Sequence, residues 1–458
     1  MRAKGRVYSW VLTPVTCFIV AVAALSQPPN PLLAPTPPMG WNSWDAYAQN
    51  ITEAQVKENA DFLAKNLKQF GWNYVVIDEG WYLPDPGPST QENKGFVMDP
   101  EGRFLPSLVR FPSAADGVGF RPMGDYLHAE GLKFGIHILR GIPKEAVARN
   151  LPIAGTSFHA TDAADQSDTC PWNTYAYGVK DNAAGQAYYD SLAKQYAGWG
   201  VDFIKVDCIA DHPYKGDEIR MIRQALNKTG RPIVLSLSPG PTNVSHADEV
   251  RKYAEMWRIS DDFWDHWGVW PKHEFSQGLL QQFKNAADWA PHTGDGHWAD
   301  ADMLPIGHLG PHPGEGDVRN SMFTEDEART LLTFWCIFRS PLMIGANLTA
   351  TDPATLGLLT NPEVIEVDQH SQGNRPIITN EKEVLWIAAG EDGRSHYIAV
   401  VNSSNVERTY DHSWAELGLQ GSSYEVRDLW RRREEGKADH LHVVLSPHAA
   451  MLLKATKR

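Results

Sequence analysis

The chain has 458 residues, 42% of them hydrophobic and 21% charged. These are the proportions of an ordinary soluble protein, long enough for two or three domains, although an α/β barrel alone takes about 250–400 residues. With 42 basic and 56 acidic side chains the net charge is -14, and an acidic surface repels phosphate backbones and anionic membranes, which argues against nucleic-acid partners.

Arg2, Lys4 and Arg6 precede an apolar stretch from Trp10 to Leu25, closed by the small residues Ala23, Ala24 and Ser26 and then by Gln27-Pro28-Pro29. This is the pattern of a secretory signal over residues 1–26, with cleavage near Ser26. The run is short for an uncleaved anchor, and no other stretch is long and apolar enough to span a bilayer. A secreted or periplasmic chain with no membrane partner after cleavage is expected. Four Cys are few. Cys17 leaves with the signal, and Cys336 sits in an apolar helical run and reads as a core thiol. Cys170 and Cys208 have the option of one disulfide in an oxidising compartment, which spacing alone leaves open.

Pro35 to Pro38 end the leader, and from Met39 strand-like runs alternate with helical periodicity. The expected strands are Met39–Trp44, 73–78, 133–139, 202–207, 232–237, 255–259, a weak one near 288–293, and 341–345. The expected helices are 53–69, 122–130, 184–198, 216–227, 246–254, 274–286 and 324–338. Eight such units predict a parallel sheet closed into a (β/α)₈ TIM barrel over residues 35–371. The stretch from Arg140 to about Val179 is too long for a plain strand-to-helix connection and carries Cys170-Pro171-Trp172-Asn173. A loop of this kind covers or lines a site, and Trp172 either stacks on substrate or packs as a lid. From residue 372 to 458 short strand-like runs separated by turn residues, with no helix between them, predict a C-terminal antiparallel β-sandwich.

The apolar run Phe203-Ile204-Lys205-Val206-Asp207 ends in an acid, as do Tyr74-Val75-Val76-Ile77-Asp78-Glu79 and Met256-Trp257-Arg258-Ile259-Ser260-Asp261-Asp262. Acids in such loops also cap helices. Three of them past strand ends, with Lys and Arg adjacent, point to the face of a barrel where active sites sit. Two carboxylates across a pocket are the minimum apparatus for glycoside cleavage. Asp207 is the candidate nucleophile, since Lys205 shares its face of the strand and helps keep it ionised. Asp262 or Asp261 is the candidate acid/base. Arg258 either holds sugar hydroxyls or makes a structural ion pair. No Cys/His pattern has metal-ligand spacing, and no cofactor or metal is expected.

Met39-Gly40-Trp41-Asn42-Ser43-Trp44, Asp78-Glu79-Gly80-Trp81, Lys205-Val206-Asp207, Trp257-Arg258 followed by Asp262, and Trp298-Ala299-Asp300-Ala301-Asp302-Met303-Leu304 resemble, in order and spacing, the motifs of glycoside hydrolase family 27. That family holds α-galactosidases, α-N-acetylgalactosaminidases and β-L-arabinopyranosidases, and the resemblance runs from Met39 through the C-terminal sandwich. It implies a retaining double displacement with Asp207 as nucleophile and Asp262, rather than Asp261, as acid/base. Trp44, Asp78, Lys205 and Arg258 match residues that grip the non-reducing sugar, and Asp300 and Asp302 match a supporting loop. A terminal α-D-galactosyl substrate is the leading expectation, and the chain departs from the α-galactosidase pattern in three places. Glu79 stands where those enzymes carry a second Asp near the 4- and 6-hydroxyls, which favours arabinopyranose, a galactose without the hydroxymethyl group. Ser238 stands where they carry a Glu on the 2-hydroxyl, as in the N-acetylgalactosaminidases, unless neighbouring loops fill the space. His137 replaces a Tyr on the third strand.

Overall fold

A computed structural model describes residues 1, 5, 32–86, 95–269, 276–311 and 316–457; the expected signal lies almost wholly outside these. Among the described residues no helix is long and apolar enough to cross a membrane.

Eight parallel strands form one sheet: β1 (Met39–Asn42), β2 (Tyr74–Ile77), β3 (Lys133–Leu139), β4 (Phe203–Asp207), β5 (Val234–Leu237), β6 (Met256–Arg258), β7 (Trp298–Asp300) and β8 (Leu342–Ile344). Their spatial order is β7-β6-β5-β4-β3-β2-β1-β8. The remaining gap is bridged just past β7, where Leu304 pairs with Ile344 and its N–H donates to Met343 O at 2.7 Å. The result is a TIM-type barrel. Most of these short strands are buried along their whole length, as expected of parallel strands covered on both faces. Gly40 is required where β1 meets β2, because a Cβ there would lie 2.3 Å from Tyr74 O. The helices begin where the sequence offers caps. Thr52 and Gln55 form a reciprocal capping box ahead of Glu53–Asn66, as do Thr324 and Glu327 ahead of Glu325–Phe338.

One expected strand is not there. Residues 288–293 are the end of the helix Leu279–Trp289 and a 3₁₀ turn, Ala290–His292, and the seventh strand is Trp298–Asp300. The helix expected over 274–286 begins only at Leu279.

The long connection after β3 carries its own three-stranded sheet, built from Ile142–Pro143, Ala164–Thr169 and Ala176–Val179. Arg140 anchors it with a bidentate bond to Asp168, 3.0 Å to each oxygen, and a 2.9 Å contact to Glu218. Lys215 adds a 2.8 Å ion pair to Asp168. A disulfide joins Cys170 to Cys208.

From Gln372 onward the chain forms two antiparallel sheets. Six strands follow the order Gln372–Thr379, Val384–Ala389, Ser395–Val401, Ala450–Thr456, Tyr424–Asp428 and Arg433–Ala438, and Arg408–Ser413 pairs with His440–Leu445. The side chains of Leu385, Ile398, Tyr410, Trp414, Leu441 and Val443 fill the space between the sheets. The outer face of the six-stranded sheet packs on the barrel helix Glu325–Phe338. Trp386 lies edge-on to Phe334 and Phe338, with ring centroids 5.7 and 5.8 Å away, and Trp430 Nε1 donates to Thr333 Oγ1 at 2.8 Å.

Candidate active site

At the carboxyl ends of the barrel strands lies a cavity of about 310 Å³, lined by Trp44, Asp78, Glu79, His137, Lys205, Asp207, Ser238, Arg258 and Asp262 among others. These nine candidates from the sequence meet in one place, with Asp261, Trp172 and Asp302 beside them, while Asp300 lies outside the lining. The volume is at the low end of the roughly 300–1,000 Å³ usual for small-molecule pockets, a size suited to one terminal sugar ring.

The Asp207 carboxylate is held from three sides. Oδ1 accepts the Cys208 N–H at 2.7 Å. Oδ2 lies 3.6 Å from His137 Nε2 and accepts the Trp172 indole N–H at 3.5 Å. Burial alone would raise its pKa, but the His137 contact and charge, then the Lys205 charge and the Cys208 N–H, outweigh it and hold the carboxyl below its ordinary range. Burial likewise opposes a charged His137, yet Asp78 and Asp207 raise its pKa. The substitution of His for Tyr on β3 thus places a basic ring, in place of a phenol, against this carboxylate.

Lys205 does not bond Asp207 directly. Its ammonium is 2.9 Å from Asp78 Oδ2, which also accepts from Asn42 Nδ2 at 2.6 Å, while Asp78 Oδ1 takes the Glu79 N–H at 2.8 Å. Against the effect of burial, these partners and His137 keep Asp78 far below the usual carboxylate range. Its neighbour behaves oppositely. Glu79 is buried with Asn173 and Gln49 as neutral partners, Asn173 Nδ2 donating to Oε1. Burial pushes its pKa up to about 7; His137 opposes this, while Asp207 and Asp78 add to it. Two adjacent carboxyls at one strand end thus have pKa values driven far apart by their surroundings.

Across the cavity, Asp262 projects with 58% of its side chain exposed, 3.3 Å from Arg258 Nη2. Arg258 is buried, pairs with Asp302 at 2.7 Å and donates to Asp261 O at 2.6 Å. Burial disfavours its charge, but Asp302 and Asp262 raise its pKa nonetheless. The Asp261 carboxylate is turned to His212 at 3.2 Å and Gln277 at 3.4 Å. Asp262 is therefore the more open of the two acids. Asp302 also accepts the Phe263 N–H at 2.9 Å, so the Asp300–Asp302 loop braces the wall that carries Asp262.

Three contributors had no assigned role in the sequence reading. Asn173 and Cys208 flank motifs that were recognised, and the disulfide together with the Arg140 and Lys215 pairs to Asp168 brings Asn173 against Glu79. Asp45 lines it too, and burial raises its pKa well above the ordinary range, with Asp302 adding to the effect. Its place directly after Trp44 was the available signal.

A barrel with carboxylates and cations converging at its carboxyl end, joined to an antiparallel C-terminal domain, is the architecture of a glycoside hydrolase. Residues 176–370 match the family model described as alpha galactosidase A, and residues 381–455 match that of the alpha galactosidase C-terminal beta sandwich domain. Alpha-galactosidase 3 of Arabidopsis thaliana is 30% identical over 409 residues, covering 88% of this chain and 77% of the relative. A GH27 β-L-arabinopyranosidase from Geobacillus stearothermophilus is similar in structure, with a TM-score of 0.88 and 46% identity, covering 93% of this chain and 97% of the other. A candidate α-N-acetylgalactosaminidase from Bacillus halodurans gives 0.82 and 40%, covering 94% and 99%. The chain belongs to glycoside hydrolase family 27.

Proposed function

We propose that the protein is a retaining exo-glycosidase that removes terminal β-L-arabinopyranosyl residues, with α-D-galactosyl residues as weaker substrates. Asp207 attacks the anomeric carbon while Asp262 gives its proton to the departing glycosidic oxygen, leaving a covalent glycosyl ester on Asp207 and a free alcohol. Asp262, now a carboxylate, takes a proton from water as that water attacks the same carbon. The ester bond to Asp207 breaks, and the sugar leaves with its configuration retained. The lowered pKa of Asp207 and the open position of Asp262 suit these two roles. The ion pair of Asp78 with Lys205 and the buried Arg258 offer fixed polar groups to the sugar hydroxyls.

The observation that carries the specificity is the placement of Glu79. It is one methylene longer than the Asp of the family's α-galactosidases, is buried beside Asp207, and is held by Asn173. A carboxyl extended by that length occupies the space of the hydroxymethyl group, which arabinopyranose lacks. This reverses the order of preference expected from the sequence, and the 46% identity to an arabinopyranosidase supports the reversal. Cleavage of α-D-galactosides remains the second reading, favoured by the curated α-galactosidase relatives. Export from the cytoplasm belongs to the same proposal, supported by the N-terminal pattern and the Cys170–Cys208 disulfide.

The test is kcat/KM measured side by side on p-nitrophenyl β-L-arabinopyranoside, α-D-galactoside and α-N-acetylgalactosaminide. Arabinopyranoside is expected to lead. A clear galactoside preference would move the protein to the second reading, and turnover of none of the three would overturn both.

A further inference from the structure

The two-stranded sheet of the C-terminal domain brings one carboxylate and two imidazoles together on its outer face. Arg408–Ser413 and His440–Leu445 pair antiparallel, with Asp411 opposite His442 and Ser413 opposite His440. His440 and His442 are two residues apart and so share a face, while Leu441, Val443 and Leu445 point into the core. A ligating atom from each of Asp411, His440 and His442 lies within 4.8 Å of the other two. Asp411 Oδ2 is 3.2 Å from His442 Nδ1, and Asp411 Oδ1 is 3.9 Å from His440 Nε2. The other ring nitrogen of His440, Nδ1, is 2.6 Å from Asp439 Oδ1. A carboxylate outside the trio thus grips one nitrogen of the ring and turns the other inward, as in the carboxylate–histidine pairs that orient metal ligands. No metal was expected from the sequence, where no Cys/His pattern has metal-ligand spacing. The sheet register creates this one by setting Asp411 beside a His-x-His pair distant in the chain.

We propose that Asp411, His440 and His442 bind one divalent transition-metal ion, with zinc the best fit. Zinc takes imidazole nitrogen at about 2.0–2.1 Å and carboxylate oxygen at about 2.0–2.2 Å in tetrahedral sites, which puts neighbouring ligand atoms about 3.3 Å apart. The 3.2 Å pair already has that spacing, and His440, now 3.9 Å from the other Asp411 oxygen, reaches it by side-chain rotation of these exposed residues. Two imidazoles disfavour calcium and magnesium, which take oxygen ligands. Three protein ligands leave the fourth position to water. None of the three lines the catalytic cavity. The ion clamps the two strands to each other, so its binding stabilises the folded chain.

The experiment uses the full chain after chelator treatment, titrated with Zn²⁺ by calorimetry and with Co²⁺ by visible absorption. The wild type is compared with His442→Ala and Asp439→Ala. All substituted positions are exposed, and glycosidase activity, expected to be unchanged, reports that each variant is folded. The wild type should bind one ion per chain and rise in Tm on zinc addition. His442→Ala should lose both effects. Asp439→Ala should bind about 10–100-fold more weakly, the usual cost of removing an orienting partner. Failure of the wild type to bind zinc, or stoichiometric binding that survives His442→Ala, would overturn the site. Unchanged affinity in Asp439→Ala would overturn the orienting role of that carboxylate.

Discussion

Cys170 is bonded to Cys208, the residue that follows Asp207 in the chain. The bond ties the loop carrying Trp172 and Asn173 to the end of β4, so that Trp172 lines the cavity and Asn173 backs Glu79 in its wall. Trp172 donates to Asp207 and Asn173 to Glu79. Closing a loop of 38 residues contributes up to about 4 kcal/mol by chain entropy. Cys170→Ser is expected to lose stability up to this amount, while Arg140 and Lys215 still hold Asp168 in the folded chain. Its kcat/KM should fall as the loop loosens. Thiol reductant under native conditions should produce the same loss in the wild type and none in the variant. A variant with wild-type kcat/KM would show that the ion pairs alone position the loop.

The split between Asp78 and Glu79 gives a pH signature. Glu79, with a pKa of about 7 in the folded chain, titrates at about 4.3 when unfolded. The folded state then binds more protons between these values, so stability falls as pH rises from about 4.3 to about 7. Glu79→Gln removes the titration and keeps the shape. Its Tm, measured across pH 4–8, should lose that part of the decline, so that wild type minus variant grows more negative with rising pH and levels off above about 7. A constant difference would mean that Glu79 titrates at the same pH in the folded and unfolded chain.

Much of this site was legible in the chain because the barrel strands are apolar runs that end in acids, and because acids past strand ends lie on one face. The seventh strand escaped because Trp298–Asp300 offers three residues, one of them charged, while the more apolar stretch around Trp289 belongs to a helix end. Partner choice was less legible than placement. Lys205 shares a strand face with Asp207, yet it spends its closest contact on Asp78, two strands away in the sheet. Linear spacing reports which face a side chain is on, and cannot report which neighbour across the barrel takes its charge. The same holds for Asn173 and for the Asp411, His440 and His442 trio, whose meetings depend on a disulfide and on strand register.

Glu79→Asp should change specificity more than rate. One methylene in a pocket is worth about 1–3 kcal/mol of discrimination, or about 10–200-fold. Shortening the acid opens room for a hydroxymethyl group, and the ratio of arabinopyranoside to galactoside kcat/KM should fall by a factor in that range, mainly through a gain on galactoside. Asn173→Ala should shift the ratio in the same direction by less, because it frees Glu79 without shortening it. A ratio unmoved in Glu79→Asp would place the specificity determinant elsewhere in the cavity.

Asp207→Asn separates chemistry from binding. The amide is nearly isosteric and keeps the Cys208 N–H within reach, but it neither attacks the anomeric carbon nor carries the charge that stabilises the oxocarbenium-like transition state. kcat should drop by several orders of magnitude, while the sugar still binds through Asp78, Lys205 and Arg258, so a monosaccharide product should retain most of its affinity in calorimetry. Asp262→Asn should behave differently. It removes proton donation, so the loss should be severe for alkyl and sugar leaving groups and mild for p-nitrophenolate, which departs without a proton. Equal losses across leaving groups would disqualify Asp262 as the acid, and the next candidate would be Asp261, whose carboxylate would first have to leave His212 and Gln277.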